Sequence, residues 1–121
     1  MTRIPEHDRN MIEKAIYLPM VITIFNLDLA VIEKSSFKLK KPYQELVEEA
    51  LRIVQQELTV VRSFLRKENI KVSEMKRDKD FTMYSFIYKG FEEHHNYFNP
   101  RLRNKTEELL AYYLVKRLYE Q

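Results

Sequence analysis

From Met11 to Ile32 the chain reads MIEKAIYLPMVITIFNLDLAVI, with apolar side chains on nearly every side of a helical repeat. A segment of this kind predicts a buried central helix. Pro19 in its middle has no N–H for the i−4 carbonyl and its ring crowds the preceding turn, so the pattern predicts a kinked first helix. Two other readings share the stretch: MVITIF is rich in β-formers and suits a strand, and residues 15 to 32 approach a membrane span in length. Pro19, Asn26 and Asp28 argue against the span, because an unpaired carboxylate in lipid costs about 3 kcal/mol on insertion scales.

The polar stretch EKSSFKLKK, Glu33 to Lys41, reads as a connection, and Pro42 suits the first position of a second helix. From Pro42 to about Glu68, Tyr43, Val47, Ala50, Val54, Leu58, Val61 and Leu65 recur at intervals of three and four, which makes one apolar stripe. Arg66 and Lys67 suit its negative end, and Asn69 fits a left-handed stop. After IKV, Ser73, Asp78 or Asp80 could cap a third helix. Its expected seam is Phe81, Tyr84, Tyr88, Phe91, His95 and Phe98, again at intervals of three and four. Gly90 would then lie in mid-helix, where it costs about 1 kcal/mol against alanine and marks a close crossing. Asn99-Pro100 ends the seam. A fourth helix starts at Asn99, or at Asn104 with Glu107 in a capping-box relation, and runs to Tyr119. The expectation is an all-α fold, an antiparallel four-helix bundle with its first helix kinked at Pro19, forming one domain over residues 1–121.

Composition narrows the function classes. One glycine in 121 residues leaves no room for the glycine-rich loops of P-loop or dinucleotide-binding sites. The absence of cysteine removes disulfides, thiolate nucleophiles and cysteine-held zinc or iron–sulfur clusters, and fits a reducing cytoplasm. The N-terminal MTRIPEHDRNMIEK carries no apolar signal core, so no export signal is expected. A net charge of +3 from many bases and acids is ordinary for a soluble protein.

Two groups of residues carry candidate chemistry. Glu92 and His95 have the Glu-x-x-His spacing that turns a carboxylate and an imidazole to one side of a helix, as in di-iron bundles. No second pair accompanies them, and the structural alternative is that His95 packs its ring into the aromatic row and bonds one nitrogen. The second group is basic: Lys38, Lys40 and Lys41 precede the second helix, while Arg101, Arg103 and Lys105 open the fourth. Cations at a helix N-terminus oppose the macrodipole, and a bound phosphate or carboxylate would relieve the conflict. The plain alternative is that they are solvated and paired with Glu92, Glu93, Glu107 or Glu108.

Taken with AIYLPMVI, KLKKPY, YKGFEEHHNYFNPRLRNK and ELLAYYL, the chain resembles the YhjD-like group of small helical proteins of spore-forming bacilli. The resemblance covers most of the chain and implies a bacterial cytoplasmic setting, with no activity, cofactor or catalytic residue attached. The expected function is therefore a non-enzymatic helical interaction protein that associates with itself, as a homodimer, or with another protein. The excess of apolar stripes over what four helices can cover motivates this reading. A nucleic-acid- or anion-binding regulator using the basic positions is the alternative, and a carboxylate/histidine metal-binding bundle the second. No cofactor and no membrane partner are expected.

Overall fold

The computed structural model describes residues 4–120, in which helix α1 (Glu6–Glu33) and helix α2 (Lys41–Lys67) precede strands β1 (Ile70–Arg77), β2 (Phe81–Tyr88) and β3 (Phe91–Phe98). Helix α3 (Asn99–Leu114) and a short 3-10 turn (Lys116–Tyr119) follow. The two long helices form an antiparallel hairpin: Gln44 donates to Glu33 at one end, and Lys14 pairs with Glu57 further down. At 28 residues α1 is about 42 Å long. It begins at Glu6 rather than Met11 and is not interrupted at Pro19, whose carbonyl accepts the Thr23 hydroxyl at 3.0 Å.

Burial along α1 is uneven. Ile12, Tyr17 and Leu18 are all buried although they point roughly a third of a turn apart, so α1 is enclosed on several sides at that level. Phe25 is its last buried residue; beyond it only the line continued by Leu29 and Ile32 remains packed, against α2. On α2 the predicted stripe holds, with Val47, Ala50, Val54, Leu58, Val61 and Leu65 buried. Ala50 and Val54 are completely enclosed, and the small Ala50 side chain allows close approach of the helices. Tyr43, the first member of that stripe, instead lies at the hairpin tip against Phe37 (ring centroids 5.0 Å) and is half exposed. Asn69 takes φ 59° just beyond α2, the left-handed stop expected there.

The expected all-α four-helix bundle is overturned by residues 70–98, which form a three-stranded antiparallel sheet in the order β1-β2-β3 and make the fold α+β. No third helix spans the aromatic seam. FTMYSFIY is rich in aromatic and branched residues that fit a pleated surface. Gly90 (φ 92°) and Lys89 (φ 50°) are not in mid-helix: both have positive φ in the two-residue connection between β2 and β3, as a type I′ hairpin requires. A strand sends alternate residues to opposite faces. Thr82, Tyr84, Phe86 and Tyr88 therefore share one face with Phe91, Glu93, His95 and Tyr97, while Phe81 and Phe98 pair on the other with centroids 5.4 Å apart. The first face packs toward the helices, burying Thr82, Tyr84, Phe86 and Tyr88. The second half of β1, from Ser73 to Arg77, is exposed on both faces, and its charged side chains discourage edge-to-edge pairing. The last helix starts at Asn99 with Pro100 in its first turn, one of the two expected starts, but ends at Leu114 rather than Tyr119.

Two polar links fasten the sheet. At one end the Asn99 side chain accepts the Thr82 hydroxyl (2.6 Å) and donates to the Asp78 and Lys79 carbonyls (3.0 and 3.1 Å). Asp78 in turn accepts the Asp80 and Phe81 amides, and these bonds hold its carboxyl below the usual range. At the other end the Tyr88 hydroxyl donates to Asp8 at 2.6 Å, tying β2 to the first turn of α1. The bond lowers the Asp8 carboxyl and, as the larger cause together with burial, pushes the Tyr88 phenol up to about 12.

Replacing Asn99 with alanine removes three bonds and strands the buried Thr82 hydroxyl, so urea unfolding should show a loss of about 1–3 kcal/mol. Asn96→Ala, on the outer face, should stay within about 0.5 kcal/mol of wild type. A similar loss in both would contradict the role given to Asn99. The Tyr88–Asp8 link predicts two pH limbs. The phenol is raised when folded, so its contribution is complete below pH about 10 and is lost as pH climbs through about 12. The carboxylate is lowered, so its share is present above pH about 4 and lost as pH falls through its folded value. Thermal melts across pH should show Tyr88→Phe flattening both limbs relative to wild type.

Candidate functional site

The strand geometry of β3 decides the histidine question. With side chains alternating, Glu92 and His95, expected on one helical face, fall on opposite faces of the sheet. Among the described residues no group of three or more His, Asp or Glu side chains is placed to hold a metal ion. On the outer face Glu92 accepts the Ser85 hydroxyl (2.9 Å) and lies 2.8 Å from His94 Nε2, and these bonds, His94 first, hold its carboxyl below the ordinary range. Nucleophilic catalysis needs the imidazole between hydroxyl and carboxylate, where it can take the proton. Here the carboxylate is in the middle, so the trio links strands and does not activate Ser85. His95, on the inner face, stacks on Phe86 (centroids 4.3 Å, planes 19° apart) and lies 3.0 Å from Glu93 through Nε2. The packing alternative describes it, on a strand instead of a helix.

The buried tyrosines are likewise committed to structure. Tyr113, on α3, donates to Glu57 on α2, and Glu57 also pairs with Lys14 on α1 (3.0 Å), so one carboxylate joins all three helices. Burial first and then the Glu57 bond push the Tyr113 phenol well above its ordinary value. Tyr97 is raised chiefly by burial and secondarily by the Glu13 charge. Phenols displaced in this direction stay protonated at neutral pH.

The basic positions separate into two places. Lys38, Lys40 and Lys41 lie at the tip of the helical hairpin, where Lys40 donates to the Glu33 carbonyl at the end of α1 (2.7 Å). Arg101, Arg103 and Lys105 open α3, where Arg101 and Lys105 border Glu13 and Tyr17 of α1. Tyr17 is 17 positions from Lys34 along one helix, roughly 25 Å. The fold does not bring the two groups of cations together.

What the fold does present is an apolar groove of about 480 Å³ between α1 and α3, lined by Met20, Thr23, Ile24, Thr106 and Leu110 with Arg77, Arg103 and Glu107 around it. The same side of α1 continues past the groove into Leu27 and Val31, which are 61% and 67% exposed. Met20, Ile24, Leu27 and Val31 recur at intervals of four, three and four, the spacing of a coiled-coil seam. This α1 stripe was hidden in the sequence by the apolar residues all round it. α1 is long and apolar enough to cross a membrane by length and composition, and 28% of its most apolar window is buried in the fold.

Comparison with known proteins bears on identity and not on this geometry. A family model described as "YhjD protein" matches residues 3–118. A curated relative from Bacillus subtilis (strain 168), named "Uncharacterized protein YhjD", is 52% identical over 114 residues, covering 94% of this chain and 95% of that protein. No solved structure matches. A match across nearly the whole length, joined to identity at about half the aligned positions, means that the chain belongs to the YhjD family.

Proposed function

We propose that the protein is a non-enzymatic interaction protein that pairs with a second copy of itself through the uncovered face of α1. The carrying observation is the Met20, Ile24, Leu27, Val31 stripe, apolar, helically spaced and open to solvent beyond Phe25. Apolar surface of this extent on a soluble helix marks a partner site. A second copy fits best because the stripe is self-complementary: two such seams laid antiparallel about a twofold axis interdigitate. In that arrangement Asp28 of one copy comes level with Thr23 of the other, beside a groove bordered by two bases, Arg77 and Arg103, and one acid, Glu107. The histidines and buried tyrosines are engaged in structural pairs, which supports a role without catalysis.

Light scattering over a hundredfold dilution series should give a mass near twice the 14.8 kDa chain at high concentration, falling toward the monomer on dilution. Leu27→Glu with Val31→Glu should weaken pairing by at least about a hundredfold, since each buried apolar side chain is worth about 1.5–3 kcal/mol. Both positions are exposed in the single chain, so far-UV circular dichroism should be unchanged. A strict monomer at every concentration would overturn the proposal.

A further inference from the structure

The tip of the helical hairpin has a composition that neither the core nor the α1 stripe explains. Between Lys34 and Lys41 the chain carries four lysines and no acid. In the same turn Phe37 is 51% and Leu39 74% exposed, with Tyr43 half exposed beside Phe37. The turn is held in place: the Ser35 hydroxyl donates to the Ile32 carbonyl (2.6 Å), Lys40 to the Glu33 carbonyl (2.7 Å) and Gln44 to the Glu33 carboxylate (2.6 Å). Phe37 and Leu39 therefore project to solvent from an ordered turn at the far end of a long hairpin.

Exposed lysines alone read as a solvated loop. Large apolar side chains set among them, with no acidic residue between, match what binds a membrane interface: Phe and Leu enter the boundary between headgroups and acyl chains, and the lysines meet anionic headgroups. We propose that this tip docks peripherally onto an anionic lipid surface, with Phe37 and Leu39 inserted shallowly and Lys34, Lys38 and Lys41 on the headgroup phosphates. The expected absence of a membrane partner rested on α1 as a span, and Asn26 and Asp28 still oppose a span. Docking asks only for the tip. Nucleic acid would use the lysines but has no use for an exposed Leu39, and the cations that would extend a phosphate track, Arg101, Arg103 and Lys105, lie elsewhere on the fold. The site adjoins the end of the Met20–Val31 stripe, with Val31 three residues before Lys34, but uses different side chains and does not depend on pairing.

The test is co-sedimentation of the full chain with phosphatidylcholine vesicles made with and without phosphatidylglycerol, and gel retardation of duplex DNA alongside. The expected result is binding to the anionic vesicles that weakens with added salt. Lys38→Glu with Lys41→Glu should lower the partition constant by at least about twenty-five-fold, about fivefold for each lysine removed. Phe37→Asp with Leu39→Asp should abolish sedimentation while circular dichroism stays unchanged, because both side chains are exposed. Leu27→Ser with Val31→Ser, which removes the apolar stripe without adding charge three residues from Lys34, should still bind. No binding to anionic vesicles, binding undiminished in the Phe37/Leu39 variant, or retardation of DNA without vesicle binding would each overturn the proposal, the last in favour of a nucleic-acid partner.

Discussion

A helix that is apolar on nearly all sides must be covered on nearly all sides, and the architecture follows from how α1 meets this demand. α2 supplies one stripe and so covers one line, from Leu18 and Val21 through Phe25 to Leu29 and Ile32. The remaining circumference is closed only over the first part of α1. There the sheet arrives through the Tyr88–Asp8 bond, and α3 arrives through Thr106, which lies 3.6 Å from the Met20 sulfur, and through Tyr113 on Glu57. Beyond Phe25 the demand is unmet within one chain. The fold is thus closed at one end and open at the other, and the proposed pairing places a second copy of α1 where the first lacks cover.

The polar links are concentrated where layers meet. Glu57 joins α1, α2 and α3 through Lys14 and Tyr113, and Asn99 joins the β1–β2 connection to the start of α3. Among the described residues no buried side-chain polar atom is left without a partner. Such networks hold a unique arrangement of layers where the apolar contacts alone would tolerate sliding. The same economy describes the titratable groups of the β2–β3 hairpin: Glu92, Glu93, His94 and His95 are each paired with neighbours within their own strand or the next.

α2 was legible from Val47 to the left-handed Asn69, with only Tyr43 falling outside the buried stripe, because a helix with one wet face shows its period openly. α1 was legible as a helix because its apolar run is far longer than a strand, although MVITIF taken alone suits a strand, and it is a core helix only over its first part. The sheet was not. β2 is a central strand with Tyr84, Ser85 and Phe86 buried in succession, which erases the alternation that marks a half-exposed strand. The aromatic positions from Phe81 to Phe98 happen to fall at intervals of three and four, and Lys89-Gly90 is a less obvious hairpin pair than Asn-Gly. Taking Gly90 for a helical crossing point followed from that error. So did the metal pairing of Glu92 with His95, which depends on helical spacing and disappears at a period of two. The basic residues were identified by type, but only the fold shows that they form two separate groups. The α1 stripe needed the fold as well, since which side of an all-apolar helix stays open depends on what else packs against it.

Hydrogen exchange along α1, followed as a function of protein concentration, tests the central claim most directly, because it reads the cover on each half of the helix separately. In a dilute solution amides from Thr23 to Ile32 should exchange faster than those from Ile12 to Val21, which lie in the closed part of the core. Raising the concentration should slow the first group toward the second and leave the second unchanged. Equal protection of both halves at every concentration would contradict the account, since it would mean that one chain already covers the whole of α1.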